Sequence, residues 1–208
     1  MEKQFKINLF IVNFITLSRI LFSPIIFYLV ILGGFVNIFT AFLLFLLGAI
    51  TDTFDGFLAR KYGVQTKFGF TLDPIADKFL VLGTLLAFSF IDYLKIPIYF
   101  FLIVLIRDIL VSVLKPISDR KDFPIPTTFL AKTKTTVQFV CIILIFLYLI
   151  VINYNSLQSF ETIYKNFAYW AYFPYWVSLI LVVVTIISGL EYVYLFVSGY
   201  LNTYRKLG

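Results

Sequence analysis

Asp52, Asp55, Asp73 and Asp77 stand close together in the stretch TDTFDGFLARKYGVQTKFGFTLDPIADKF, Thr51 to Phe79, between two long apolar runs. The first two are spaced i,i+3 and the last two i,i+4, so on helices each pair shares one face. A short turn, about Lys61 to Lys67, makes the two helices antiparallel neighbours whose carboxylate faces can converge. Carboxylates held this close repel and their pKa values rise. Burying charge in a bilayer is costly as well. A divalent cation removes both objections, and two cations match the ligand count. Two metals about 3.5–4 Å apart can clamp the attacking and leaving oxygens of a phosphoryl centre. The chain has no His, and its one Cys141 lies mid-run, so the donors are oxygens and the metal is Mg²⁺, Mn²⁺ or Ca²⁺ before zinc. The competing reading is solvated interface charge, the acids pairing with Arg60, Lys61, Lys67 and Lys78.

Such acids need elements to hold them, and the composition says which. Hydrophobic residues make up 61% of the chain and charged residues 13%, with a mean hydropathy of +0.97. Soluble domains run about 45–50% apolar and about 25% charged. The expectation is an all-α integral membrane protein, one domain spanning 1–208. A hydrocarbon core about 30 Å thick needs about 20 apolar residues as helix. Leu9–Leu32, Phe35–Leu58, Phe70–Ile91, Ile96–Leu114, Phe129–Ile152 and Tyr172–Val197 qualify, giving six transmembrane helices. The first run is too long for a secretory signal, has no small-residue cleavage site and contains Arg19 and Pro24, so it reads as a retained helix. One set of helix ends carries Lys3, Lys6, Arg60, Lys61, Lys67, Lys115, Arg120, Lys121, Lys132, Lys134, Arg205 and Lys206; the other carries Lys95 and Lys165. By the positive-inside rule both termini are cytoplasmic. The net charge of +6 then lies on one face, where anionic lipid headgroups attract it, and nucleic acid is not the partner.

Asp52 falls about 26 Å along the second helix from its outer end, at the inner edge of the core. Asp55 is one turn further. The acids therefore sit at the depth of phospholipid phosphates, on the cytoplasmic side. Gly56 and Ala59 lie beside the first pair and Gly69 opens the next helix; such small residues let helices, or a flat ligand, approach closely. Pro74, directly after Asp73, removes a helical donor and bends the third helix locally.

Asp52, Asp55, Gly56, Ala59 and Arg60, then eight residues, then Gly69, Asp73 and Asp77 resemble the signature DxxDGxxAR…GxxxDxxxD of the CDP-alcohol phosphatidyltransferases. Every fixed position is filled, and the six-helix hydropathy is similar too. The resemblance implies two divalent ions, Mg²⁺ or Mn²⁺, on Asp52, Asp55, Asp73 and Asp77, with Asp77 also the general base. It implies a CDP-linked lipid whose diphosphate meets the metals, contacted by Gly56, Ala59, Arg60, Thr66 and Gly69, and by Asn13 and Thr16 of the element NFIT. Homodimers are common in the family, so a homodimer is allowed. The active site is expected at the cytoplasmic face of the inner membrane.

The segments NFITLSRI, DPIADK, IRDIL, AKTKTTVQ and ISGLEYVY resemble the branch of that family that joins CDP-diacylglycerol to sn-glycerol 3-phosphate and releases CMP. Ile106 and FLAK stand where that branch often has a small residue and Trp-Gly. A dianionic acceptor needs cations, and Arg107, Lys132 and Lys134 are the candidates, Arg as a bidentate fork and Lys as a point charge. Arg107 could instead pair with Asp108, and the two lysines could simply anchor at the interface. Arg19 and Lys78 have no assigned role. Rival readings keep the chemistry with inositol phosphate, serine or phosphatidylglycerol as acceptor, or make the chain an intramembrane prenyltransferase or a cation transporter. The last two fit poorly: prenyltransferase acids occur in two well-separated segments, and transport sites lie near the midplane of repeated halves.

Overall fold

The computed structural model describes the backbone of residues 18–62, 67–121, 123–157 and 168–205. Side chains are described at the same residues except 52–62, 67–77, 155–157, 168–169 and 204–205. Among these residues there is no strand. The long elements are α1 (Ser18–Leu32), α2 (Phe35–Tyr62), α3 (Lys67–Ser89), α4 (Ile98–Arg120), α5 (Phe129–Leu157) and α6 (Phe173–Arg205). Two helical stretches are long and apolar enough to cross a membrane, Phe129–Tyr154 and Trp170–Thr203; Ser18–Leu32, Phe35–Thr51 and Lys78–Ser89 are shorter apolar helices.

Breaks between helices occur where the backbone has a local reason to leave the helical basin. Gly33 and Gly34 adopt φ of 67° and 79°, a region open to glycine at no steric cost, and they separate α1 from α2. Asn37 Nδ2 donates to Gly33 O at 2.8 Å, occupying a carbonyl at the break. After α3 a 3-10 turn, Asp92–Leu94, leads to Lys95 at φ 53° and to Pro97, whose fixed φ of −67° precedes the first residue of α4. Thr128 caps α5, its Oγ1 accepting from Ala131 N at 3.2 Å.

Several helices outrun the apolar stretches that announce them. α4 continues to Arg120, beyond Leu114 and through Pro116, and α6 continues to Arg205, beyond Val197. Hydropathy ends where water begins, whereas a helix ends where its i→i−4 bonding is interrupted. For α4 that point is Ser118, whose carbonyl accepts from both Lys121 N and Phe123 N.

The chain forms two compact units. The first comprises 1–91 and 146–166, the second 92–145 and 167–208, so α5 contributes to both. In the first, Phe45, Phe88 and Phe146 are fully buried, with Phe146 at centroid distances of 5.7 and 5.0 Å from the other two rings. α2 packs on α3 where Gly48 faces Leu80; a Cβ at Gly48 would lie 2.7 Å from Leu80 Cδ2. α1 meets α3 at Gly83, where a Cβ would fall on Ser23 Oγ, and that hydroxyl donates to Phe79 O at 2.7 Å. In the second unit α4 packs along α6.

The burial pattern reverses that of a water-soluble bundle. Leu43, Leu47, Ile106, Ile109, Ile187 and Leu190 are exposed, while Arg19, Asp108, Lys134, Gln138 and Ser188 are buried. Exposed apolar surface on this scale suits a lipid solvent. Arg19 is fully buried and Lys78 half-buried.

The Gly83 crossing yields a direct test. Gly83→Val overpacks the α1–α3 contact and should destabilise the protein by about 1–3 kcal/mol. The expected reading is a melting temperature several degrees lower for the detergent-solubilised chain; an unchanged value contradicts the close approach.

Candidate active site

Two groups of polar residues interrupt the apolar helices. The first is the aspartate series. Asp52, Asp55, Gly56, Ala59 and Arg60 lie on helical backbone in α2, and Gly69, Asp73 and Asp77 on helical backbone in α3. Their side chains lie outside the described residues, and Asn13, Thr16 and Thr66 lie outside them altogether. The expected helical spacing of both pairs is thus present in the backbone. A described contact between the two helices close to them is Gly48 on Leu80. Asp52 is one turn beyond Gly48 and Asp77 one turn before Leu80, so both pairs belong to the helix ends that residues 63–66 join. Carboxylates are the donor set that hard divalent cations take.

The second group is buried in the second unit, and its geometry is explicit. Asp108 of α4 accepts from Lys134 Nζ at both oxygens, 2.9 Å to Oδ1 and 3.0 Å to Oδ2. Lys134, on α5, also donates to Gln138 Oε1 at 2.6 Å, one turn along its own helix. Arg107 Nη1 donates to Asp108 Oδ1 at 3.1 Å, and Nη2 donates to Ser188 Oγ of α6 at 2.6 Å. The Arg107 guanidinium lies 5.6 Å from the centroid of the buried Tyr192 ring. Gly189 makes room for its stem, since a Cβ there would sit 3.2 Å from Arg107 Cγ. α4 and α5 therefore meet at one carboxylate, and α6 joins through Arg107.

Burial makes these contacts matter. Taking a charge out of water costs several kcal/mol even after relaxation, so each ion here requires its partners. Two N–H groups of the cluster, Arg107 Nε and Gln138 Nε2, are buried without a hydrogen-bond partner among the described residues. Because Lys only donates, it holds the Gln138 oxygen toward itself and leaves the amide nitrogen elsewhere. Buried N–H donors beside two cations can take an oxyanion.

The sequence candidates for acceptor binding thus divide. Arg107 and Lys134 are brought together through Asp108, whereas Lys132 is exposed on the first turns of α5. Asp108, entertained earlier as a partner for Arg107, is bound by both cations. Gln138 and Ser188 went unnoticed in the sequence. For Gln138 the signal was its i,i+4 spacing from Lys134; for Ser188 there was none, since its partner is 81 residues away.

The model of the CDP-alcohol phosphatidyltransferase family matches residues 9–187. This chain belongs to that family. Among curated relatives, the CDP-diacylglycerol–glycerol-3-phosphate 3-phosphatidyltransferase of Rickettsia bellii is 41% identical over 129 residues, covering 61% of this chain and 68% of its own. The protein of that name from Rickettsia typhi is 39% identical over 127 residues, 61% of this chain and 70% of its own. That from Wigglesworthia glossinidia brevipalpis is 33% identical over 171 residues, 74% of this chain and 90% of its own. The family match spans both polar groups, the aspartates of α2–α3 and the Arg107–Asp108–Lys134 cluster.

Removing one partner from a buried ion pair costs about 3–5 kcal/mol. Lys134→Ala should therefore lower stability by about 3 kcal/mol, the low end of that range because Arg107 still holds Asp108 Oδ1. Denaturation of the solubilised protein measures it; an effect below about 1 kcal/mol, typical of an exposed pair, would contradict the burial.

Proposed function

We propose that this phosphatidyltransferase moves the phosphatidyl group of CDP-diacylglycerol onto sn-glycerol 3-phosphate, giving phosphatidylglycerol phosphate and CMP. The family match and the named activity of the relatives support the reaction class. The acceptor rests on one observation: two buried cations, Arg107 and Lys134, share one carboxylate beside unspent N–H donors. A phosphate dianion supplies oxygen acceptors for those donors and a charge opposite to the two cations. A zwitterionic acceptor such as serine does not call for it.

The proposed arrangement is a single domain of six membrane-spanning helices, with both termini and the aspartates on the cytoplasmic side of the inner membrane. Asp52, Asp55, Asp73 and Asp77 would hold a pair of Mg²⁺ or Mn²⁺ ions. When bound, such ions neutralise charge that builds on the diphosphate as the bond to CMP breaks. Asn13, Thr16, Gly56, Ala59, Arg60, Thr66 and Gly69 bind the nucleotide and diphosphate of the lipid substrate. Its acyl chains lie against the exposed Phe- and Leu-rich helix surfaces.

An acceptor hydroxyl oxygen attacks the phosphorus that carries the diacylglycerol ester. The new phosphorus–oxygen bond forms as the bond to the CMP oxygen breaks. Asp77 takes the hydroxyl proton, and CMP leaves with the electron pair. A carboxylate is a weak base at neutral pH, so the rate depends on holding the two substrates in line. Arg107 and Lys132 do that for the acceptor by gripping its phosphate, Arg as a planar fork and Lys as a point charge. Lys134, expected from the sequence to join them, has its donors on Asp108 and Gln138 and acts through Asp108.

Purified protein in mixed micelles, given CDP-diacylglycerol and each acceptor in turn, should release CMP with sn-glycerol 3-phosphate and not with serine. Asp77→Asn or excess chelator should reduce release to background. Arg107→Ala should raise the KM for glycerol 3-phosphate about tenfold to a hundredfold, the loss of one charge-assisted contact. Rapid turnover in chelator, or a preference for inositol phosphate, would refute this reading.

A further inference from the structure

The side chains that hold Arg107 are themselves held. Side-chain exposure is 12% for Arg107, 9% for Asp108 and 3% for Lys134, so Arg107 is the least buried of the three and Lys134 the most. Lys134 fixes both oxygens of Asp108, at 2.9 and 3.0 Å, and is itself steadied by Gln138. Asp108 Oδ1 then takes Arg107 Nη1, while Ser188 takes Nη2. With one nitrogen on α4's own carboxylate and the other on α6, the plane of the guanidinium is set before any ligand arrives. A preset fork spares the ligand the entropy of ordering a long side chain.

We propose that Asp108 is a positioning residue for the acceptor phosphate, acting through Arg107: Lys134 locks the carboxylate, and the carboxylate aims the guanidinium. This rests on the reading that Arg107 grips the acceptor. It makes an opposite prediction to simple charge balance. Were Asp108 only a neutralising group, its loss would remove one negative charge beside the fork and tighten a dianion. Acting as a positioning residue, its loss frees the fork and weakens the dianion.

The experiment is a double-mutant cycle on the full chain in detergent, with Asp108→Asn, Arg107→Gln and the pair together. KM for glycerol 3-phosphate, KM for CDP-diacylglycerol, kcat and melting temperature are read for each. Asp108→Asn should raise the glycerol 3-phosphate KM about tenfold, leaving the KM for the CDP-lipid within twofold or so. In the Arg107→Gln background the same substitution should change KM little, because the residue it aims is gone. A lowered KM for Asp108→Asn, or full additivity with Arg107→Gln, overturns the positioning role. Arg107→Gln with an unaltered KM instead overturns the acceptor reading beneath it. Should Asp108→Asn fail to fold, Asp108→Glu carries the test, since it keeps the charge and moves the oxygens by one methylene. A raised KM there supports positioning, and a wild-type KM overturns it.

Discussion

A charge inside an apolar helix bundle must be matched by partners on neighbouring helices, and the second unit of this protein is organised by that requirement. Asp108, Arg107 and Lys134 come from two helices, and Ser188 from a third. Arg107 and Asp108 meet within α4, yet Asp108 also takes Lys134 of α5 and Arg107 also takes Ser188 of α6. The cluster therefore specifies how α4, α5 and α6 meet. Its cost in desolvation is high, and an apolar replacement of the same volume could be as stable. On the proposed reading, that cost is offset by the use the acceptor phosphate makes of the geometry.

Around these ions the helices pack by closeness. Between apolar helices in an apolar solvent the hydrophobic effect gives little net attraction, so van der Waals contact and interhelical hydrogen bonds carry association. Gly48, Gly83 and Gly189 each stand where a methyl group would press on a neighbour, respectively Leu80, Ser23 and Arg107. The bond from Ser23 Oγ to Phe79 O shows both devices at one crossing, a missing side chain opposite a hydroxyl that reaches a carbonyl. The same substitution pattern has a second use at Gly189, where the room is taken by the stem of a functional cation. Packing and chemistry are thus served by one residue type.

How much of this was legible in the chain depends on the range of the interaction. The helices of α2 and α3 follow from local periodicity, and so does the spacing of Asp52 with Asp55 and of Asp73 with Asp77. Helix ends were less readable, because hydropathy marks solvent and not hydrogen bonding; α4 runs on through Pro116 to Arg120. The pairing of Arg107 with Asp108 is local and could be entertained from IRDIL. The link from Asp108 to Lys134 spans 26 residues and depends on how α4 and α5 rotate against each other, which no single-helix pattern encodes. Arg107 with Ser188, 81 residues apart, is further still beyond reach. The side chains of the four aspartates lie outside the described residues, so their convergence stands on spacing and on the family match.

The two polar groups divide the chemistry by what each must recognise. On the proposed reading the aspartates meet the diphosphate, which every acceptor in this reaction class encounters in the same form. They carry little information about the alcohol. The cluster on α4, α5 and α6 meets the part that differs, and it differs chiefly in charge: a phosphate dianion, a zwitterion or a neutral glycerol. A fork set in advance by a buried carboxylate discriminates among these better than a mobile one. A zwitterion or neutral group leaves the buried Arg107 Nε unanswered, and an unanswered buried donor costs about 1–3 kcal/mol. Selectivity for the acceptor then comes less from attraction to the right molecule than from the penalty that the same buried groups impose on the wrong one.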